Sequence, residues 1–444
     1  MIVRLVIGTA IIGAIVALGA VWYVRGPGPL DFAGSKTVAL ADYRDGDPTG
    51  VPASVSQASL LDRGKYLTEA ADCVVCHTAP GGKQYAGGFA FKLPFGTMYS
   101  TNITPDKETG IGNYTDQQFL DAIHRGIRRD GARLYPAMPY TSYTYVTDAD
   151  ALAIKAYLFS LAPVRAVPPE NTLLFPFNQR WAMTFWSLVF NRDTRFAPDA
   201  SQSVKWNRGA YLAEALAHCG ECHTPRNIGF ALDNRKKFAG APVAGWRAFN
   251  ISSDKATGLG GWSDQDIASY LSAGHVTGHG TASGPMGEAV DHSFSKMAPD
   301  DIEAMVTFLR SVPPSTSPDF SLRSTAAPAA HKEGVTANLL GKKIFEGTCV
   351  SCHGWTGESA VSPFATLTGS AAVNDPSATN VAQIVIGGTR RLTPHGALSM
   401  PSFGHAYSDD EIAAVSNYVT ARFGAKGSSL TARDVANFRA QVSN

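Results

Sequence analysis

The chain has 444 residues, with 38 Lys plus Arg against 37 Asp plus Glu, a formal charge of +1. At about 150 residues per domain that length holds roughly three domains, and the even charge excludes the basic excess of a nucleic-acid binder. Charged residues are only 17% and hydrophobic ones 44%, which excludes a disordered chain.

The first element is residues 1–24. Leu5 to Val24 is 20 residues without a charge. As a helix it spans about 30 Å, enough for the bilayer hydrocarbon. Arg4 precedes it, and Trp22 and Tyr23 close it as interfacial aromatics do. Gly8, Gly13, Ala14 and Ala17 give it a small-residue stripe suited to helix packing. A single retained N-terminal transmembrane helix is expected. Cleavage as a signal peptide at Ala17-Leu-Gly19 is the alternative, and either reading exports the rest of the chain. Residues 25–57, rich in Gly, Pro, Asp and Ser, read as a tether.

Three repeats follow, at 58–165, 203–313 and 335–424, and each carries two of the six cysteines. The motifs are Cys73-Val-Val-Cys76-His77, Cys219-Gly-Glu-Cys222-His223 and Cys349-Val-Ser-Cys352-His353. C-x-x-C-H is the attachment pattern of c-type haem. Two thiols three apart share one face of a helical turn, where they meet the two vinyl groups of one porphyrin. The adjacent His then offers an imidazole nitrogen to iron. A redox dithiol or half of a zinc site is the other use of C-x-x-C. Three copies that consume every cysteine, each followed by His, favour three covalently bound haem c groups. His77, His223 and His353 are then the first axial ligands.

Each repeat opens on an amphipathic helix with a Gly near its start (Gly64, Gly209 or Gly341), where a second helix can cross closely. Each closes on a helix with acids in its first turn, at Asp148 and Asp150, at Asp300 and Asp301, and at Asp409 to Glu411. Their apolar residues recur at i, i+3 and i+4, so the expected fold class is all-α. Repeats one and two also share Asn102-Ile-Thr-Pro-Asp106 and Asn250-Ile-Ser-Ser-Asp254. These loops either start the next helix, capped in Tyr114-Thr-Asp116 and Trp262-Ser-Asp264, or offer Asn102, Asn250 or Trp262 to haem propionates.

The second axial ligand is expected to be a thioether. Met138 in Tyr135-Pro-Ala-Met138-Pro139 and Met400 in Leu398-Ser-Met400-Pro401 sit in Pro-marked loops before the closing helices. Core filling is the common use of Met, but the shared position and Met-Pro pair favour iron. In repeat two Met286 occupies the matching loop, with His275, His279 and His292 as rivals. Met98 and Met297 read as packing residues. His124, His331, His395 and His405 read as ordinary surface or loop histidines. Arg128-Arg129 and Arg390-Arg391 precede Met138 and Met400 in parallel, as solvated charges or as partners of propionates or an acidic surface.

Between repeats, residues 166–202 include the aromatic stretch 173–190, a helix packed between haem domains or a surface for a membrane, quinone or dehydrogenase. Residues 314–334, rich in Pro, Ala and Ser, form a second linker, and 425–444 a polar tail.

The chain resembles the triheme cytochrome c subunits of membrane-bound periplasmic bacterial dehydrogenases over about residues 58–424. The likeness rests on the three haem motifs, Cys76-His-Thr-Ala-Pro-Gly-Gly82, Cys222-His-Thr-Pro-Arg-Asn227, the two Asn loops and Phe175-Pro-Phe-Asn-Gln-Arg180. It implies three tandem cytochrome c domains behind the N-terminal helix, anchored in the bacterial inner membrane and facing the periplasm. It also implies electron transfer from a dehydrogenase subunit to ubiquinone. Such subunits serve molybdenum aldehyde dehydrogenases, quinoprotein alcohol dehydrogenases and flavin-dependent sugar or gluconate dehydrogenases. The alcohol and fructose types tend to carry a C-terminal membrane segment, and residues 430–444 are too polar for one. The N-terminal anchor therefore makes a partner with molybdopterin and iron–sulfur clusters the first choice, and one with pyrroloquinoline quinone or flavin the alternative. A haem peroxidase, which needs an open iron site, is the rival class, and three Met ligands argue against it. No residue of this chain is expected to be catalytic towards an organic substrate, since no dinucleotide-binding glycine motif or spare cysteine is present.

Overall fold

The computed structural model describes residues 2–34, 37–39, 50–316, 338–393 and 396–441, and only the backbone of 2–10, 17 and 37–39. His331, His395 and most of the 314–334 linker lie outside the described residues.

Each repeat is clasped by an opening and a closing helix. The pairs are Leu60–Ala70 with Asp148–Ser160, Val204–Tyr211 with Pro299–Ser311, and Leu339–Ile344 with Asp409–Phe423. The opening helices start on caps: Ser59, Ser203 and Asn338 accept from Asp62, Trp206 and Gly341 backbone N–H groups. Such a cap satisfies one donor that the first turn cannot pair internally. Thr147 and Ser408 cap closing helices in the same way. The crossing itself is made by glycine. A Cβ at Gly64, Gly209 or Gly341 would collide with the backbone carbonyl of Ala153, Ala304 or Ala414 on the closing helix.

Between the two helices the chain forms hairpins, and these correct the all-α expectation. Besides 47% helix, the described residues hold five two-stranded antiparallel sheets. They pair 90–93 with 96–99, 241–243 with 246–248, 275–276 with 280–281, 389–393 with 396–400, and 37–39 with 194–196. Gly96, Gly245 and Gly396 turn three of them at φ 125°, 80° and 117°. Strands of two to five residues are too short to show an alternating pattern in sequence.

The transmembrane helix is also corrected. Residues Ile2–Arg25 are helical, yet among the described residues no helix is long and apolar enough to cross a membrane. The C-terminal end of this helix is instead held by protein. Arg235 Nη1 donates to Tyr23 O at 2.6 Å, and Asn227 Nδ2 donates to Val24 O at 2.9 Å. The Arg235 guanidinium also lies 4.7 Å over the Tyr23 ring.

Repeats one and two share one continuous core, while repeat three builds its own around Phe345, Val415, Tyr418 and Phe423. The shared interface is reciprocal. Arg63 pairs with Asp150 at 2.6 Å, and Tyr211 of repeat two donates to the same carboxylate at 2.6 Å. Arg208 pairs with Asp301 at 2.7 Å, and Tyr66 of repeat one donates to that carboxylate at 2.6 Å. Each tyrosine hydroxyl then accepts the N–H of Thr147 or Ala298 at the start of the other repeat's closing helix.

The helix Ala182–Phe190 has two faces. Trp186 donates to Gly229 O at 2.7 Å and packs edge-on against Tyr140, while Trp181, Phe185 and Leu188 are exposed.

His124 is not a surface residue: it is 1% exposed, at the end of the helix Asp116–Arg125. Burial, then the nearby Arg195 charge, lowers its pKa to about 3. Below pH ~6.5 the unfolded chain binds a proton that the folded one refuses, so stability falls. The loss levels off near the folded pKa of about 3. Acid unfolding is expected to begin at lower pH in His124→Gln than in the parent, as read by circular dichroism.

Candidate haem c sites

Each C-x-x-C-H is a short helical turn placed at the end of the opening helix, at Cys73–Cys76, Gly220–His223 and Val350–His353. In repeats two and three a π-helical turn, Leu212–Leu216 or Phe345–Cys349, delivers the chain to the motif. Burial pushes the thiols up, to about 12 for Cys73 and Cys219 and about 11 for Cys222 and Cys349. Among the described residues no three His, Cys, Asp or Glu gather as a metal site.

The histidines carry the decisive geometry. His77 Nδ1 lies 2.7 Å from Thr101 O, His223 Nδ1 2.6 Å from Phe249 O, and His353 Nδ1 2.6 Å from Ala365 O. A carbonyl only accepts, so Nδ1 must donate and Nε2 keeps its lone pair. Burial lowers the pKa of all three, which holds the imidazoles neutral. A neutral ring fixed by Nδ1–H to a backbone carbonyl is the arrangement of a metal-ligating histidine. The residues therefore fit haem c, and the six cysteines and three histidines would hold it.

A family model for cytochrome c matches residues 61–162 and 339–422. The chain is 38% identical over 416 residues to the fructose dehydrogenase cytochrome subunit of Gluconobacter japonicus, covering 89% of this chain and 85% of that one. It is 36% identical over 430 residues to the gluconate 2-dehydrogenase cytochrome c subunit of Pantoea cypripedii, with 93% of each covered. It is 35% identical over 403 residues to the quinone alcohol dehydrogenase cytochrome c subunit of Gluconacetobacter polyoxogenes, covering 86% and 85%. The chain belongs to the cytochrome c subunits of dehydrogenase complexes. Covalent haem c and a dehydrogenase partner come with that family. These relatives favour the sugar, gluconate and alcohol alternative over the molybdenum aldehyde dehydrogenase first choice.

The second-ligand candidates sit in three different settings. Met138 is in the turn before Tyr140–Tyr143, and Met400 ends the strand Gly396–Met400. Met286 lies not in a loop but in the first turn of the helix Gly284–His292. That helix packs against Cys73–Cys76, so the Cys-x-x-Cys-His turn of repeat one adjoins the helix that carries Met286. All three thioethers are half-buried, whereas Met98 and Met297 are 8% exposed.

The rival histidines separate. His279 stacks on Trp262 with centroids 3.8 Å apart. His275 stacks on Phe364 of repeat three and bonds Thr281 through Nδ1 at 2.9 Å, and its Nε2 is buried without a hydrogen-bond partner. His292, half-buried, ends the helix that carries Met286.

The Asn102 and Asn250 side chains are taken up by their own loops. Asn102 Nδ2 donates to Thr109 Oγ1 and Val164 O, and its Oδ1 accepts from Thr104 N and Oγ1. Asn250 repeats this with Thr257, Ser315 and Ser252. Both amides are buried and spent on holding the loop. Thr115 and Ser263, the middle residues of the matching segments Tyr114-Thr-Asp116 and Trp262-Ser-Asp264, cap the following helices in full capping boxes. Arg128 pairs with the exposed Asp130 at 2.9 Å, whereas Arg391 is buried.

The carbonyls of Thr101, Phe249 and Ala365 were beyond sequence reasoning, because any residue supplies a carbonyl. The repeat-two partners of Arg391 and the Arg–Asp–Tyr pairs also go beyond that reading, although the shared Arg-Gly-x-Tyr of repeats one and two is a visible signal for the latter.

Proposed function

We propose that this chain is the three-haem electron-transfer subunit of a periplasmic sugar, sugar-acid or alcohol dehydrogenase, delivering electrons to ubiquinone. The observation that carries it is the Nδ1–carbonyl bond repeated at His77, His223 and His353. It supports three sites of one kind, the middle one included, although the family model matches only the outer two. Bound haem c supplies one-electron redox chemistry, with no need for a substrate-oxidising residue in this chain.

The chain's own residues set the order of the sites. Repeat two touches both neighbours. It adjoins repeat one through the reciprocal Arg–Asp–Tyr contacts, and repeat three through Asn380, whose amide bonds both the N–H and carbonyl of Arg247. Phe364, beside the carbonyl that orients His353, stacks on His275. Repeat two is thus the middle of the row. The outer end at repeat three is the more open: Cys352 is exposed, and Trp355 and Val361 stand out beside it. We assign the dehydrogenase contact to that end. His77 with Met138, His223 with Met286 and His353 with Met400 would hold the three irons.

The test is haem and ligand counting on the intact holoprotein. Three haems per chain are expected, and Met138→Ala, Met286→Ala and Met400→Ala should each remove roughly a third of the iron–sulfur charge-transfer absorbance. An unchanged spectrum in Met286→Ala would move the ligand to His275, whose Nε2 is free. Two haems, or rapid ligand binding at a high-spin iron, would sink the three-site electron-transfer reading.

A further inference from the structure

Repeat three reaches into repeat two through one buried side chain. Arg391, on the strand Thr389–Thr393, is 2% exposed. Its Nη1 donates to Gly287 O at 2.5 Å. Its Nη2 lies 3.0 Å from Asp291 Oδ1 and 3.5 Å from Ala273 O. The next residue joins in, with Leu392 N donating to Asp291 Oδ2 at 3.4 Å. All three acceptors belong to repeat two, and two of them lie on the helix Gly284–His292.

The cradle is shaped for a guanidinium. A Cβ at Gly274 would collide with Nη2, and one at Gly287 would sit 3.2 Å from Nη1. A flat fork serves several acceptors at once, which an ammonium point charge on this stem does not. Gly287 directly follows Met286 on the first turns of that helix. The guanidinium therefore grips the peptide next to the thioether and, one turn on, the carboxylate of Asp291.

We infer that Arg391 is a positioning residue for Met286, so that docking of repeat three fixes the second ligand of the repeat-two haem. The inference rests on Met286 as that ligand. Sequence parallel alone does not give it, since Arg129, the equivalent in repeat one, is exposed and its backbone N–H donates to Tyr114 of its own repeat. What separates them is that Arg391 crosses a repeat boundary and is buried on the far side.

Arg391→Ala and Arg391→Lys in the full holoprotein test it, with Met286→Ala in parallel. The readouts are the iron–sulfur charge-transfer absorbance and the three midpoint potentials. Arg391→Ala is expected to remove up to roughly a third of that absorbance and lower one midpoint, with Lys intermediate. A purely structural role would lower melting temperature and leave band and midpoints alone. If Met286→Ala leaves the band intact, the ligand reading fails. If Met286→Ala removes a third while the Arg391→Ala band and midpoints match the parent, the positioning inference is overturned. Should Arg391→Ala not fold, Arg391→Lys decides: an unaltered band and unaltered midpoints overturn it.

Discussion

Gly209→Ala is expected to cost the protein its second haem site, and to do so more severely than the same change at Gly64 or Gly341. At each position the missing side chain lets the closing helix cross with its backbone in contact. At Gly209 a Cβ would collide with Ala304 O and sit 2.9 Å from the Phe308 Cβ. Both are fixed parts of a helix, so no flexible chain end can give way. Alanine gains about 1 kcal/mol of helix propensity over glycine. Overpacking costs about 1–3 kcal/mol, and more where backbone must move. Here it dominates. The ranking follows from burial around the glycine. Trp206 to Tyr211 are all buried in the core that repeats one and two share. The Gly341 helix has exposed Leu339 and Leu340 on its outer side and can shift outward. Haem content and thermal unfolding of the three variants check this. A Gly209→Ala protein with full haem content and the parent melting temperature would remove close helix crossing as the organising feature of the repeat.

Much of this architecture was legible because it is written in residue types that do one thing. Three C-x-x-C-H motifs marked the helical turns that hold the oriented histidines, and a Gly at each opening helix marked the crossings. The starts of the closing helices were visible in their first-turn acids, Asp148 and Asp150, Asp300 and Asp301, and Asp409 to Glu411. What was illegible has a common cause: it depends on backbone groups or on which surface meets which. The carbonyls that orient the histidines carry no side-chain signature. Asn102 and Asn250 looked available to a ligand, yet each spends its amide on its own loop. Arg391 could not be told from Arg129 in sequence, because the difference lies in a neighbouring repeat. Hairpins of three to five residues left no period to read. The apolar N-terminal run showed its length but not the contacts that Tyr23 and Val24 make with repeat two.

Arg208→Ala is expected to destabilise the paired repeats by about 3–5 kcal/mol, the range for leaving one member of a buried ion pair uncompensated. The pair is extreme in its burial: Arg208 is 1% exposed and Asp301 is 0%. Two bonds join them, Nε to Oδ1 at 2.8 Å and Nη2 to Oδ2 at 2.7 Å. The second oxygen also takes the Tyr66 hydroxyl from repeat one. Removing the guanidinium therefore strands a carboxylate whose remaining partner comes from the other repeat. The loss falls on the interface as well as on the helix crossing. Its mirror image, Arg63→Ala, should cost less, because Arg63 is 17% exposed and water can reach the vacated site. Tyr66→Phe and Tyr211→Phe should each cost about 1–3 kcal/mol, the usual penalty for removing one partner of a buried hydrogen bond to a charged group. Denaturant unfolding followed at the haem bands separates the four variants. Combining Arg208→Ala with Tyr66→Phe adds a further check. The two changes share one carboxylate, so their effects should not sum. Strict additivity, or equal losses for Arg63→Ala and Arg208→Ala, would show that the reciprocal contacts do not act as one clasp and that each repeat stands on its own core.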